Sequence, residues 1–309
     1  FRSKTFGSAI TNALGSLQFA SGSDGTTLYL SYIDADNVGH VLKSLNGTSS
    51  WTALGGTFGS TVSDLRMQVN PSNGYPTVLY LSNTTAYFRD WNGSAWGTQY
   101  TLASSLLSAD VAFDASGNRT FAAVSTDYAL TTYYYKSGST SVTRTKSISS
   151  AANGSARIVC AGERFYIAFA DRANYGYPTI SSAATETVAA NGSWTELGTI
   201  GRAGFNISLA AGSDGYPVIA FGDNYYARNS QVHVYRYNGS KWKLLGENEL
   251  PYFKNMFYKQ HSYYIRGSSP ILAVTSDGSI YLSMLAIDTR SSGSVNNGTI
   301  VMKYRGESW

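Results

Sequence analysis

The 309-residue chain is 43% hydrophobic and 14% aromatic, with 24 Tyr and 31 Gly, and only 14% of its residues are charged. So few charges exclude a coiled coil, and so many aromatic and β-branched residues exclude a disordered chain. A net charge of +4, with no cluster denser than Arg144-Thr145-Lys146 or Lys241-Trp242-Lys243, leaves no nucleic-acid footprint, and no apolar run reaches the ~18 residues of a spanning helix.

In chain order, Phe1 to Ile10 reads as a strand carrying Thr5-Phe6-Gly7. A chain opening at Phe1 without Met or an apolar leader is either processed or one segment of a longer chain, and processing suits secretion. Six repeats follow. Each begins with a turn between apolar strands: Ser23-Asp24-Gly25, Asn73-Gly74-Tyr75-Pro76, Asp114-Ala115-Ser116-Gly117, Ala161-Gly162-Glu163, Ser213-Asp214-Gly215-Tyr216-Pro217 and Ser276-Asp277-Gly278. Each continues to a second turn of Asn-Gly type, with Trp and often Leu-Gly behind it. Asn46-Gly47 precedes Trp51 and Leu54-Gly55, Asn92-Gly93 precedes Trp96, and Asn191-Gly192 precedes Trp194 and Leu197-Gly198. Asn238-Gly239 precedes Trp242 and Leu245-Gly246, Arg305-Gly306 precedes Trp309, and Lys136-Ser137-Gly138 is a degenerate copy. Asn-Gly between extended runs predicts type I′ hairpins, with positive φ at both central residues.

Two hairpin turns per repeat make four strands, a to d, in roughly 51 residues, the size of a propeller blade. The expected fold is therefore all-β: a six-bladed β-propeller of four-stranded antiparallel blades forming a single domain over residues 1–309. The chain stops at Trp309, where the last d strand should begin, and Thr5-Phe6-Gly7 matches the missing Leu-Gly. Residues 1–10 are accordingly expected to close the ring as the outer strand of the C-terminal blade. This pattern of turns and strands resembles that of extracellular, lectin-like repeat β-propellers. The resemblance implies a fold and leaves function open, because such propellers serve as lectins, adhesins, scaffolds and enzymes.

The b-c loops are where chemistry is expected, since a rigid scaffold presents them together. Five start with an acid, Asp34, Asp127, Asp171, Asp223 and Asp288, and Asn83 holds the sixth position. Tyr128, Arg172, Tyr175, Tyr225, Tyr226 and Arg228 lie close by. Carboxylates and Arg hydrogen-bond sugar hydroxyls while Tyr rings stack on the apolar sugar face. The competing reading makes each Asp the cap of its own loop, as in an Asx-turn. A further segment, Asn248 to Tyr264, breaks the period. Its Tyr252, Phe253, Met256, Phe257 and Tyr258 suit a plug or an interface.

Catalytic and metal signals are weak. Pseudo-symmetric Asp positions single out no acid/base pair, and the Ser-x-Asp-x-Gly-x-Thr-Trp box of sialidase propellers is absent. His40 and His233 look like one repeat position, which leaves His261 alone. Asp34-Ala35-Asp36-Asn37-Val38-Gly39 opens like a calcium loop but lacks ligands at positions five and twelve. Cys160, the one cysteine, excludes an internal disulfide and a Cys-based zinc site; its apolar run predicts a buried, inert thiol. No metal or cofactor is expected.

Nine Asn-x-Ser/Thr sequons, at Asn46, Asn83, Asn92, Asn118, Asn153, Asn191, Asn206, Asn238 and Asn297, are about twice what composition gives. Hairpin chemistry accounts for the Asn-Gly members, and N-glycosylation of a secreted protein is the reading for the rest. The expected function is an extracellular, non-catalytic recognition module, first a lectin-like binder of glycans or glycoproteins. A self-assembling structural glycoprotein of a surface layer or filament comes second, and a carbohydrate-active enzyme third.

Overall fold

A computed structural model describes residues 13–22, 24–45, 50–201, 204–223, 231–246, 268–289, 295–304 and 309. The chain divides into two compact units, Phe1–Ser150 with Val188–Gly192, and Ala151–Thr187 with Ser193–Trp309. The first unit holds three antiparallel sheets. They are β1 (Ala13–Ser21), β2 (Thr27–Asp34), β3 (Gly39–Leu45) and β4 (Thr52–Ala53); β5 (Val62–Val69), β6 (Pro76–Ser82), β7 (Thr85–Asp90) and β8 (Tyr100–Ala103); and β9 (Leu106–Phe113), β10 (Arg119–Ser125), β11 (Leu130–Tyr135) and β12 (Arg144–Ser149). The second unit holds β13 (Ala152–Ala161), β14 (Arg164–Asp171), β15 (Tyr177–Ala184) and β16 (Thr195–Thr199); β17 (Gly204–Ala211), β18 (Pro217–Asp223), β19 (Gln231–Tyr237) and β20 (Trp242–Leu244); and β21 (Ser268–Val274), β22 (Ile280–Thr289) and β23 (Val295–Tyr304).

Within every sheet the strands pair in sequence order, so each sheet is a meander and a blade, and the fold is the expected six-bladed β-propeller. The last blade shows three strands among the described residues. The expected closing strand, residues 1–10, lies outside them.

The b strands carry the cores. β6, β10 and β14 are buried along almost their whole length, as strands covered on both faces must be. Within each unit, the seam between neighbouring blades has its own cluster. Leu65, Val78 and Phe58 fill the seam of blades 1 and 2, Phe88, Phe121 and Leu79 that of blades 2 and 3, and Tyr166, Ile180 and Phe221 that of blades 4 and 5. Full burial of such a side chain contributes about 1.5–3 kcal/mol.

Polar devices align the seams. Gln18 Oε1 accepts from the Met67 amide at 2.9 Å across blades 1 and 2, and Ser208 Oγ accepts from the Leu272 amide at 3.0 Å across blades 5 and 6. The Trp indole behind a c-d turn donates to the preceding blade's Leu carbonyl, Trp96 to Leu54 at 2.6 Å and Trp309 to Leu245 at 3.2 Å. The glycine after each Leu lies beneath that indole. A Cβ on Gly55 would come within 2.7 Å of Trp96 Cδ1, and one on Gly246 within 2.5 Å of Trp309 Cδ1. The recurring Trp and Leu-Gly are thus two halves of one contact between blades. Blade 3 lacks the Trp and uses Arg119 instead. Its guanidinium lies 4.4 Å from the Phe88 ring centre and holds both Asp90 oxygens at 2.7 Å.

Three expectations are corrected here. The described Asn-Gly turns are not type I′: Gly93 and Gly239 have φ of 99° and 92°, whereas Asn92 and Asn238 are absent from the positive-φ residues. Asn92 and Ala95 close the turn around Gly93-Ser94, so glycine is the first central residue, the type II′ pattern. Asn92 Oδ1 instead accepts from the amides of Ser94 and Ala95 and from Ser94 Oγ, at 2.8–2.9 Å. The turn expected at Asn191-Gly192 is preceded by a short helix, α1 (Thr185–Ala190), against which Arg144 Nε donates to the Ala189 carbonyl. Cys160 is half-buried rather than buried, although it shares parity with the buried Ala156 and Ile158, because the alternation of β13 breaks at Val159–Cys160.

Candidate functional site

Each described b-c loop shows where its acid goes. Asp34 ends β2, and its Oδ1 accepts from the amides of Asp36 and Val38 at 3.0 and 2.9 Å while Oδ2 meets His40 Nε2 at 2.6 Å. The His40 bond, followed by the Val38 amide, lowers the Asp34 pKa. His40 in turn stacks on Tyr32 at 4.8 Å. His40 faces Tyr32 across the ladder, and His233 faces Phe221 in the same way, so the two histidines do occupy one repeat position.

Asp127 departs from the pattern, since Ser125 and not Asp127 opens the turn: the amides of Ser125 and Tyr128 bond to Ala129 and Ser125 carbonyls. Asp127 accepts from Ser125 Oγ, which lowers its pKa, and Tyr128 takes φ of 67°. Asn83 is exposed at φ of 56° in the tight β6–β7 turn. Asp288 lies inside β22, paired with Asn296, and does not begin a loop as expected. For Asp34 and Asp171 the Asx-turn reading describes the observed bonds.

The β14–β15 loop is the fullest described candidate. Asp171 caps a 3₁₀ turn, Arg172–Asn174, accepting from the Ala173 amide at 2.9 Å, and Tyr175 ends it at φ 57°. An extended helix would hide such a residue; this turn raises it from the surface. Tyr175 is 84% exposed, with its ring 6.0 Å from that of Tyr177 at 46°. Arg172 is exposed beside it.

Backbone bonds bring this loop next to the end of β18. The Gly204 amide donates to the Gly176 carbonyl at 3.0 Å, and Gly204 is the ladder partner of Asp223. Asp171, Arg172 and Tyr175 therefore adjoin the strand end that leads to Tyr225, Tyr226 and Arg228. Those three residues lie outside the described ones, as do the expected interface residues Tyr252, Phe253, Met256, Phe257 and Tyr258. Sequence reasoning missed Tyr177 and the Gly176–Gly204 joint. Their signal is Gly176-Tyr177-Pro178, a third copy of the Gly-Tyr-Pro found at Gly74 and Gly215, placed in a b-c loop instead of an a-b turn. Among the described residues no group of three His, Cys, Asp or Glu side chains could hold a metal.

Several sequons have structural duties. Asn92 and Asn238 bind their own turns, as does Asn70 in Asn70-Pro71-Ser72, where no sequon exists. Asn118 uses its whole amide, Nδ2 on Asp114 at 2.8 Å and Oδ1 on the Ser137 amide at 3.0 Å. Asn206 is exposed at φ 53°, and the hydroxyl of its sequon is the Ser208 that binds Leu272. Asn153 is half-buried in β13, Asn191 is exposed after α1, Asn297 pairs with Ile287 in β23, and Asn46 lies outside the described residues.

No protein-family model matches the sequence, and no curated protein matches it either. Solved structures do. The chain is similar to the Kuenenia stuttgartiensis hydrazine synthase at 13% identity, covering 90% of this chain and 78% of that one with a TM-score of 0.62. It is similar to the fungal Aleuria aurantia lectin, described as a six-bladed β-propeller with a novel fucose recognition mode, at 14% identity, 94% and 97% coverage and a TM-score of 0.58. It is also similar to the SapL1 lectin in complex with α-methyl fucoside, at 14% identity, 94% and 96% coverage and a TM-score of 0.57. At these identities the likeness is one of fold, the six-bladed β-propeller that lectins share with enzymes.

Proposed function

We propose that the chain is an extracellular, non-catalytic glycan-binding propeller whose principal site is the β14–β15 loop together with the residues that follow Asp223. Tyr175 carries the reading. An aromatic ring 84% exposed, on left-handed backbone fixed by a capped 3₁₀ turn, contributes nothing to a core and offers a rigid platform for the apolar face of a sugar. Asp223, Tyr225, Tyr226, Arg172 and Arg228 would supply the polar and further aromatic contacts. The lectin propellers of the same fold favour this reading, and so do the loop carboxylates. Asp34 and Asp127 are shifted downward, first by the His40 ring and the Ser125 hydroxyl respectively, opposite to the raised pKa of a glycosidase general acid.

A glycan array followed by titration calorimetry tests it. Losing a hydrogen bond or ring contact to a sugar typically costs about 1–3 kcal/mol, so Tyr175→Ala and Asp223→Ala should each weaken binding by about tenfold or more. Asn238→Ala, on a c-d hairpin, should leave it unchanged. Binding indifferent to both loop variants, or lost with the hairpin variant, would refute the assignment.

A further inference from the structure

Asn followed by Gly is a chemically fragile pair. The glycine nitrogen, with no side chain beside it to shield it, attacks the Asn carboxamide carbon. A five-membered imide forms, ammonia leaves, and water reopens the ring to Asp or isoaspartate. The step needs a carboxamide free to swing back towards the next nitrogen, so the fold decides which pairs react.

Most of the described pairs are held. Asn92 and Asn238 each accept three hydrogen bonds on Oδ1, from the amides two and three residues ahead and from a Ser hydroxyl, at 2.8–3.0 Å. These bonds turn the group forward, away from the glycine nitrogen. Asn73 Oδ1 accepts from the Tyr75 amide at 2.9 Å, and the Gly74 nitrogen is itself committed to the Asn70 carbonyl at 2.8 Å. Asn297 and Gly298 lie within the β22–β23 ladder, opposite Ile287 and Ala286.

Asn153 is different. β13 meets β14 at Ala152 with Asp171 and next at Ala156 with Phe169, so Asn153, Gly154 and Ser155 stand together opposite Ala170 as a bulge without ladder partners. The Asn153 carboxamide has no hydrogen bond among the described residues, and all three bulge residues are only half-buried, within reach of water. Gly154 takes φ of 76°, and nothing lies within 4 Å of its Cβ position. An unpaired bulge hinged on a glycine is free to take up the bent backbone that the imide imposes.

We propose that Asn153 is a deamidation site, and that the carboxylate formed there weakens the sugar site on the adjoining β14–β15 loop. The second half rests on the proposed glycan site. Ala152 is the ladder partner of Asp171, and the Ala151 carbonyl accepts the Arg172 amide at 2.8 Å. Position 153 therefore follows directly on the backbone to which this loop is tied. Conversion adds a negative charge at the base of a loop that holds Asp171 and Arg172, where charges still feel one another through water. The carboxamide nitrogen lost in the reaction is the one that would carry a glycan on the Asn153-Gly154-Ser155 sequon, so the two modifications exclude one another.

The test uses protein made in a host that does not glycosylate, held folded at mildly alkaline pH and sampled over time by peptide mass spectrometry. Asn153 should convert about tenfold or more faster than Asn92 and Asn238, where three hydrogen bonds must break first. Asn153→Asp, made directly, should keep the melting temperature and bind the best array glycan about two- to fivefold more weakly than the unmodified protein at low salt, a difference that shrinks as salt is added. Asn191→Asp, beyond α1 at the opposite end of β15, should bind normally. Equal conversion rates at Asn153, Asn92 and Asn238 would overturn the modification site. Unaltered affinity in Asn153→Asp, or a loss indifferent to salt, would overturn its effect on binding while leaving the glycan site intact. An unmodified protein that binds no glycan refutes the glycan reading and the effect on it together, and the conversion rates then decide the modification site by themselves.

Discussion

Gly55→Ala separates backbone strain from the latch that Trp96 forms with Leu54 and Gly55. Gly55 and Gly25 share a left-handed backbone, with φ of 73° and 66°, and an alanine there costs about 1–2 kcal/mol for its Cβ alone. Nothing lies within 4 Å of the Cβ position on Gly25, so Gly25→Ala should stop at that figure. On Gly55 the new methyl would sit 2.7 Å from Trp96 Cδ1 and 3.0 Å from Trp96 Nε1 and Trp91 Cζ3, where ordinary carbon contacts are about 3.5–4.0 Å. Trp96 must retreat by about 1 Å, but its ring is held 4.9 Å from Phe58 and 5.3 Å from Trp91. Retreat breaks the bond to Leu54 and strands a buried carbonyl, about 1–3 kcal/mol, and overpacking adds about 1–3 more. Gly55→Ala should therefore cost about 3–8 kcal/mol by urea unfolding, against about 1–2 for Gly25→Ala. In a Trp96→Leu background the excess should vanish, giving a coupling of about 2 kcal/mol or more in the cycle. Equal costs at Gly25 and Gly55, or no coupling with Trp96, would refute the latch as the reason for the recurring Leu-Gly.

Three further outcomes are expected. Arg119→Met should cost about 2 kcal/mol in urea and Asp90→Ala more, because the guanidinium is buried among Phe88, Phe121 and Tyr135 while Asp90 reaches water; the reverse order would count against a buried charge at this seam. Asp277 is held down to about 2, first by the Thr275 hydroxyl and then by the Ser279 amide. Its contribution is present above the unfolded value near 3.8 and is lost as pH falls towards 2, so Asp277→Asn should flatten the stability profile across that window and nowhere else. If the protein is secreted from a eukaryotic host, peptide mass spectrometry should find glycan on Asn83 and none on Asn118, whose amide is spent on Asp114 and Ser137.

The fold was legible because its signals repeat. Two turn motifs recurring at a fixed spacing mark blade boundaries, and apolar runs such as Thr77 to Leu81 and Phe165 to Phe169 can only be strands covered on both faces. What the sequence hides is geometric. Asn92 and Asn238 look like the first central residue of a I′ turn, yet each side chain gains three bonds by standing one place earlier, and no local propensity distinguishes the two. Leu197-Gly198 is written like Leu54-Gly55 and Leu245-Gly246. The difference is that Ile180 pairs with Gly198 and Ser181 with Glu196, which leaves Leu197 as a bulge in β16, and that lies in tertiary pairing.

The site was less legible for the reason that made the fold easy. Repetition supplied an Asp at nearly every b-strand end, and a residue serving each blade alike carries no information about which blade binds anything. Asp34 and Asp171 each accept from amides of their own loops, while Asp127 turns out to occupy a different turn position altogether. Information about function therefore sits where the repeat is broken. The 3₁₀ turn after Asp171 raises Tyr175 out of the surface, the Gly-Tyr-Pro motif moves from an a-b turn to a b-c loop at Gly176, and β16 slips by one residue on the same blade. All three departures meet at the seam of blades 4 and 5.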